Sequence, residues 1–460
     1  MSLPEPYYND DPKSFAYPTI HSRWPKIIQG AIDDVKSVIN TNENLQSTGT
    51  NIVIQLQELL ASFKNDEVVR SFTTSEINLS KEDLKSYNST LIKLNEHKKV
   101  TWQTGPWLYL ECYLYQYINN LFLAEIKQNS FWSKYDVFQV LKDKTFQQSE
   151  FGVLELLKKY HSLVADTKLH EQQLTQDQKL LLFRDFIDIS LWGNATDLSL
   201  LAGNVTLEDI KSLQGAETRK KNEENILVND IEDAWKQLIN KQDTDRVDIV
   251  LDNSGFELYS DVIFALFLLD FKIVKQVKLH CKTIPWFVSD TRPVDVVNFT
   301  EQLKSSDFFP EIHSKHKQDI DFLNSKIATY IADDKLTYED NIYWTLGGNY
   351  WNLGQHTKLY EDLKKHSSLI IFKGDLNYRK LTGDLQWDKT TPFITAIQDL
   401  ATSQLPILSL RTCKADVVVG LKPGVNEELI ERYKAQGNEI GEFWSSSGKW
   451  AVISFSNGKN

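Results

Sequence analysis

The chain of 460 residues has only three cysteines, Cys112, Cys281 and Cys413, with no Cys-x-x-Cys among them. An odd count with that spacing excludes a disulfide framework and a structural zinc centre as organising features. No Gly-x-x-x-x-Gly-Lys-Ser/Thr loop occurs, which removes P-loop nucleotide hydrolysis. The only double glycine is Gly347-Gly348-Asn349, and no Gly-x-Gly-x-x-Gly follows a strand-like run. A dinucleotide or S-adenosylmethionine loop therefore has no support. The nine histidines include no His-Glu-x-x-His, and His313 and His316 read as surface residues. No apolar run approaches the ~20 residues needed to cross a bilayer. Met1-Ser2-Leu3-Pro4-Glu5-Pro6 has no basic stretch leading into an apolar one, so no signal peptide is expected. Basic charge is in deficit as well: 51 Lys and Arg against 63 Asp and Glu leave a net charge of −12. That balance argues against a nucleic-acid groove but leaves room for a local basic pocket binding a small anion. These absences predict a protein of a reducing compartment, the cytoplasm first and the nucleus second, without membrane or nucleic-acid partners.

What is present is ordinary for a well-packed globular chain: 41% hydrophobic and 25% charged residues, with 12 Trp, 18 Tyr and 23 Phe to fill a large core. From Trp24 to Leu201 the apolar residues recur at helical spacing, as in Ile27, Ile28, Ile32, Val35 and Val38, and in Leu56, Leu59, Leu60 and Phe63. Residues 214–226 are polar and dense in charge, and read as a linker or an exposed insertion. After position 245 short apolar runs appear at 247–251, 274–280, 284–288, 368–372, 406–410, 416–419 and 450–455, mostly separated by helical stretches. Strands alternating with helices imply an α/β fold with a mainly parallel, Rossmann-like sheet. The expected division is an α-helical N-terminal region over 1–213, the polar segment 214–226, and an α/β catalytic domain over 227–460.

The chemistry gathers at four of these strand exits. Val247-Asp248-Ile249-Val250-Leu251 runs into Asp252-Asn253-Ser254-Gly255 and then a helix. Ligands bind at such carboxyl ends in open α/β sheets. A carboxylate beside a carboxamide offers hard oxygens suited to Mg²⁺ or Mn²⁺; the plainer reading is an Asx turn that caps the helix. Ser254 stands where an aspartyl-nucleophile phosphatase would carry a second Asp. The run 284–288 leads to Ser289-Asp290-Thr291-Arg292-Pro293, which places Asp290 as a third oxygen ligand before a helix begun by proline. Ser368–Phe372 leads to Lys373-Gly374-Asp375-Leu376-Asn377-Tyr378-Arg379, and a Lys and an Arg around a glycine turn at a helix start can hold a phosphate. Pro406–Leu410 leads to Arg411-Thr412-Cys413-Lys414. Two acidic exits facing two basic ones describe a metal site opposite an anion site, the requirement for phosphoester hydrolysis. Charged residues also end strands simply by meeting solvent, and runs such as Lys158-Lys159 and Lys364-Lys365 are solvated helix faces.

Glu111 stands apart, in an aromatic helix without Lys or Arg three or four residues away. Either a site or distant partner uses it, or it lies on a wet edge of that helix. Glu257 faces a similar choice, with first-turn helix stabilisation as the plain reading.

At Trp107-Leu108-Tyr109-Leu110-Glu111-Cys112-Tyr113, Asp252–Leu258, Ser289-Asp290, Phe372–Arg379 and Arg411-Thr412-Cys413-Lys414 the chain resembles the damage-control phosphatase family, long catalogued as a domain of unknown function. The match is to its third, eukaryotic subfamily, whose signature is Arg-Thr-x-Lys. The resemblance spans almost the whole chain and implies a metal-dependent phosphatase of small phosphometabolites, fructose 1-phosphate and related sugar phosphates such as fructose 6-phosphate. It implies that Asp252, Asn253 and Asp290 hold Mn²⁺, Mg²⁺, Co²⁺ or Ni²⁺ and that Asp252 and Asn253 carry the catalysis. It further implies substrate contacts from Asp252, Asn253, Lys373, Asp375, Leu376, Asn377, Tyr378, Arg379 and Lys414, with Glu111 as a sugar-hydroxyl or water-network partner. Arg23-Trp24-Pro25 also resembles the family, without an assigned role. The same family carries a second reading, S-adenosylmethionine-dependent methylation of protein glutamates, which the glycine pattern and the acidic exits disfavour. A non-catalytic sugar-phosphate sensor is a third.

Overall fold

In the computed structural model, residues 2–165, 175–193, 223–240 and 245–459 are described. Among these described residues seven strands form one sheet: β1 (Ile226–Asn229), β2 (Arg246–Val250), β3 (Gln276–Cys281), β4 (Leu336–Asp340), β5 (Ser367–Lys373), β6 (Ile407–Thr412) and β7 (Ala451–Ser456). Their order is β1-β7-β6-β5-β2-β3-β4. β2 pairs in parallel with β5, Val250 opposite Phe372, and with β3, Val250 opposite His280. β6 continues in parallel from β5, and among the described strands only the β6–β7 pair is antiparallel. β2 and β5 are buried along their whole length. Such continuous burial is what a parallel sheet between two helical layers requires.

One face is covered by the helices Phe256–Asp270, Pro293–Lys304 and Lys317–Ala332, and the other by the aromatic and aliphatic side chains of residues 343–452. A third core belongs to the first 138 residues, where Trp24, Trp107, Tyr113 and Trp132 pack together and close over Trp286, Phe287 and Val288. The expected helical region is therefore two layers. Helices Glu150–Ala165 and Gln176–Gly193 belong to the sheet's own core, with Phe186 stacked on Phe267 at 4.5 Å. Of the polar segment 214–226, residues 214–222 lie outside the described residues; 223–225 form a 3₁₀ turn and Ile226 already opens β1.

Two expected strands are loops. Residues 284–288 are apolar because they pack under the helix Trp107–Glu125, where Phe287 stacks on Tyr115 at 4.9 Å. In the stretch 416–419, Val417, Val418 and Val419 are apolar because they fill the second face of the sheet. Conversely, β1 and β4 escaped the apolar-run criterion. Both are sheet edges, and β4 carries exposed Glu339 and Asp340. Charge on an edge strand is a usual guard against edge-to-edge pairing. Among the described residues no helix is long and apolar enough to cross a membrane.

Candidate active site

The chain leaves β2 toward β3 on one side and leaves β5 toward β6 on the other, so the crevice between β2 and β5 is a topological switch point. Asp252 and Gly374 meet there. Gly374 has φ +83°, and a Cβ on it would stand 1.8 Å from Asp252 Oδ2. Only glycine permits both that backbone and that approach. Asn253 lies behind Asp252: its Nδ2 donates to Asp252 Oδ2 at 3.1 Å and to Glu257 Oε2 at 2.8 Å, and its Oδ1 accepts from Ser289 Oγ at 2.5 Å. Two carboxylates around one end of the amide fix which end is nitrogen.

Asp290 reaches the same crevice on the loop that follows β3, not at the exit of a 284–288 strand. Asn253 and Asp290 pair through a backbone bridge, Thr291 N–H donates to the Asp252 carbonyl at 2.8 Å, and Ser254 N–H donates to the Ser289 carbonyl at 2.7 Å. The buried Lys282 ammonium joins the two acidic segments, donating to the Leu251 carbonyl at 2.7 Å and pairing with Asp290 Oδ2 at 3.2 Å. Just before Asp290, Phe287 (φ 44°) and Val288 (φ 71°) are both left-handed. For a β-branched residue that conformation is strained, and it persists only where surroundings over-determine it.

The basic side comes from β5 and β6. Asp375 Oδ1 accepts from Arg411 Nε at 2.7 Å and from the Lys414 backbone N–H at 2.9 Å. Arg411 also donates to the Ala415 and Val417 carbonyls and lies over the Tyr378 ring, so it shapes the loop that carries Lys414. Arg379 binds Asp384 through Nε (3.1 Å) and NH2 (2.9 Å), gives NH1 to Glu111 Oε2 at 2.9 Å, and lies 3.8 Å over the Trp107 ring. Burial opposes the Arg379 charge, and Asp384 and Glu111 more than offset it, raising its pKa. Glu111 thus has distant partners, Arg379 and the Trp24 indole N–H at 3.2 Å, with Arg23 4.0 Å away.

Together these residues line a narrow cavity: Arg23, Trp107, Glu111, Asp252, Phe287, Asp290, Asp375, Leu376, Arg379 and Lys414. Seven of the expected site residues meet there. Four do not line it: Asn253, Lys373, Asn377 and Tyr378. The Lys373 ammonium points away from the phosphate position assigned to it, pairing with Asp261 at 2.9 Å and Glu257 at 3.2 Å inside the core. Burial lowers the Lys373 pKa, but the two acids together hold it above the ordinary lysine value; Glu257, although it stands in the first turn of the helix Phe256–Asp270, is accordingly also committed to an ion pair. Asn377 donates to the Lys373, Val250 and Leu251 carbonyls and accepts from Tyr350, which stitches β5 to β2. The Tyr378 hydroxyl accepts from Val419 N–H at 3.0 Å. Arg23, Trp107 and Phe287 were not picked out as site residues; only the family-like Arg23-Trp24-Pro25 and Trp107 stretches signalled two of them.

The cavity's oxygen donors fit a hard divalent cation. Asp252 and Asp290 contribute two carboxylates, and no group of three or more His, Cys, Asp or Glu that could hold a metal exists among the described residues. Two carboxylates completed by water and a substrate phosphoryl oxygen is how Mg²⁺ is commonly bound.

A family model described as "Damage-control phosphatase ARMT1-like domain" matches residues 19–429. The chain is 34% identical over 470 residues to "Damage-control phosphatase ARMT1" of Macaca fascicularis, covering 98% of each chain, and 33% identical to the Homo sapiens protein of that name with the same coverage. The Xenopus tropicalis protein so named is 33% identical over 96% of each. Among solved structures, a DUF89 family protein from Pyrococcus horikoshii aligns with 77% of this chain and 90% of its own, at 14% identity and a TM-score of 0.35. With the first 18 residues and the last 31 as the only parts beyond the matched span, this chain belongs to the ARMT1-like damage-control phosphatase family.

Proposed function

We propose that this cavity hydrolyses phosphate monoesters of small metabolites with a divalent cation, Mn²⁺, Co²⁺, Ni²⁺ or Mg²⁺, and that its substrates are sugar phosphates such as fructose 1-phosphate and fructose 6-phosphate. The observation that carries the reading is the contact of Asp252 with the Gly374 turn, where a Cβ would stand 1.8 Å from the carboxylate. It brings an acid, a helix N-terminus and the cavity together at one point.

Asp252 and Asp290 would hold the ion; when bound it polarises a phosphoryl oxygen and provides an activated water. Asn253 orients Asp252, since its own carbonyl oxygen is engaged by Ser289. Lys414 and the first N–H groups of the helix Gly374–Thr382 bind the phosphoryl oxygens, because charge and oriented amides both favour an anion there. Asp375 is held by Arg411 and the Lys414 N–H, so it fixes that loop rather than reacting. At the other end Glu111, Arg379 and Arg23 present charged hydrogen-bonding groups for sugar hydroxyls beside the Trp107 wall. Glu111, Asp252, Asp290 and Arg379 are all buried around the cavity, an enclosure that favours small substrates over macromolecular ones.

The test is phosphate release from fructose 1-phosphate by chelator-stripped protein before and after adding each metal. Silence without metal, recovery with Mn²⁺ or Co²⁺, and loss of recovery in Asp252→Ala support the reading. Undiminished release by stripped protein, or by Asp252→Ala, sinks it.

A further inference from the structure

Behind the Asp290 loop, away from the cavity wall, three buried charges, Asp136, Lys142 and Asp295, meet the partly exposed Arg292. Lys142, on the helix Gln139–Gln148, donates from Nζ to Asp136 Oδ2 at 2.9 Å, to Asp295 Oδ2 at 3.0 Å and to the main-chain carbonyl of Asp290 at 3.3 Å. Arg292 NH2 closes the cluster on Asp136 at 3.1 Å. Two acids and two bases balance, and the acids are tied locally: Asp136 accepts the Phe138 N–H at 2.9 Å, and Asp295 accepts the Arg292 N–H at 2.8 Å at the start of the helix Pro293–Lys304.

A buried charge cluster is a poor way to gain stability, since apolar residues of similar volume do as well or better. Its return here is placement. The Lys142 bond ends on the residue whose side chain lines the cavity. The stretch it grips contains two consecutive left-handed residues, Phe287 and Val288, which need an external constraint to stay as they are. We propose that Lys142 is a positioning residue: by gripping the Asp290 main chain it holds the strained 284–292 loop in register with Asp252, so that both carboxylates face one cation. This rests on the metal-dependent reading above.

Two variants test it. Lys142→Met removes the ammonium but leaves the acids in excess. Lys142→Met with Asp295→Asn restores the balance, and the Asn oxygen can still accept the Arg292 N–H, so this variant decides if the first fails to fold. Amide hydrogen exchange reads the loop without any metal, at Ser289, Asp290 and Thr291, whose N–H groups donate to the Phe287, Trp286 and Asp252 carbonyls. The expected result is exchange at least about tenfold faster at these three amides with β2 and β5 amides unchanged, and Mn²⁺ binding by calorimetry weakened about 10–100-fold, the usual effect of losing an outer-sphere partner. Wild-type exchange in the charge-balanced variant overturns the proposal. So does a loosened loop with Mn²⁺ affinity unchanged. If the loop loosens but the wild-type protein itself binds no Mn²⁺, the metal reading fails and the anchoring of the loop by Lys142 stands alone.

Discussion

Gly374→Ala should cost more activity than its loss of stability explains, because the three atoms nearest its Cβ all belong to Asp252. At φ +83° an L-residue costs about 1–2 kcal/mol relative to glycine. That much strain alone would leave a folded protein. The added methyl, however, would lie 1.8 Å from Oδ2, 2.2 Å from Cγ and 2.8 Å from Cβ of Asp252, all well inside contact distance. Either Asp252 swings away or the turn shifts, by about 1 Å in each case, and a misplacement of that size costs about 10²-fold in rate. The assay is kcat/KM for fructose 1-phosphate at saturating Mn²⁺, with urea unfolding in parallel. Gly437→Ala is the control: φ is +90° and nothing lies within 4 Å of its Cβ, so the same backbone strain comes without the clash. The expectation is about 10²-fold or more lost by Gly374→Ala and little lost by Gly437→Ala, with stability lowered in both. Near-wild-type kcat/KM in Gly374→Ala, or equal losses in the two, would refute the placement of Asp252 at the reacting centre.

Lys373→Met should destabilise the fold by about 3–5 kcal/mol, since Glu257 and Asp261 lose their buried cation, whereas Lys414→Met should cost about 1.5–3 kcal/mol of phosphate binding and little stability. Urea unfolding and inorganic-phosphate calorimetry distinguish the two, and the reverse pattern would return Lys373 to the anion site. Asp416 accepts from Ser14 Oγ at 2.9 Å and Phe15 N–H at 3.0 Å, and burial pushes its carboxyl from the usual 3.8 up to about 6. Its contribution to stability is then full below about 3.8 and lost as pH rises through about 6, on the order of 3 kcal/mol in all. Asp416→Asn should therefore gain on the wild type between pH 4 and about 7 in urea midpoints; a difference that is flat or falls with pH contradicts this. Calorimetry should detect no S-adenosylmethionine binding at cofactor-like concentrations, and tight binding with metal-independent methylation of protein glutamates would reverse the ranking of the two activities.

The parts of the fold that were legible in the sequence are those where one interaction dominates. β2, β3, β5, β6 and β7 announced themselves as apolar runs because strands in the body of the sheet are covered on both faces. The stretch 284–288 looks the same for a different cause: it is apolar because it lies under the Trp107–Glu125 helix, and only the fold distinguishes a buried loop from a buried strand. β1 and β4 failed for the opposite reason, as edges need less apolar surface. Asp252 and Asp290 were legible because an acid after an apolar run is conspicuous. Lys142 and Lys282 were not, since their partners Asp136, Asp295 and Asp290 are set by tertiary packing and no local spacing records it.

The block Lys373–Arg379 shows why a contiguous motif is not a contiguous site. From Gly374 the chain is helical, and each residue turns by about 100°. Asp375, Leu376 and Arg379 therefore fall within about 100° of one another, and these are the members that line the cavity. Asn377 and Tyr378 project from the remaining arc, where one stitches β5 to β2 and the other receives Val419. Lys373 precedes the turn as the last residue of β5, and its side chain goes to Asp261 and Glu257. Residues on the inner arc can be exchanged only at the expense of binding, and those on the outer arc only at the expense of the sheet that brings Gly374 against Asp252. The two sets leave the same mark on a sequence, so assigning substrate contact to the whole block overstates its chemistry and understates the architecture that makes the chemistry possible.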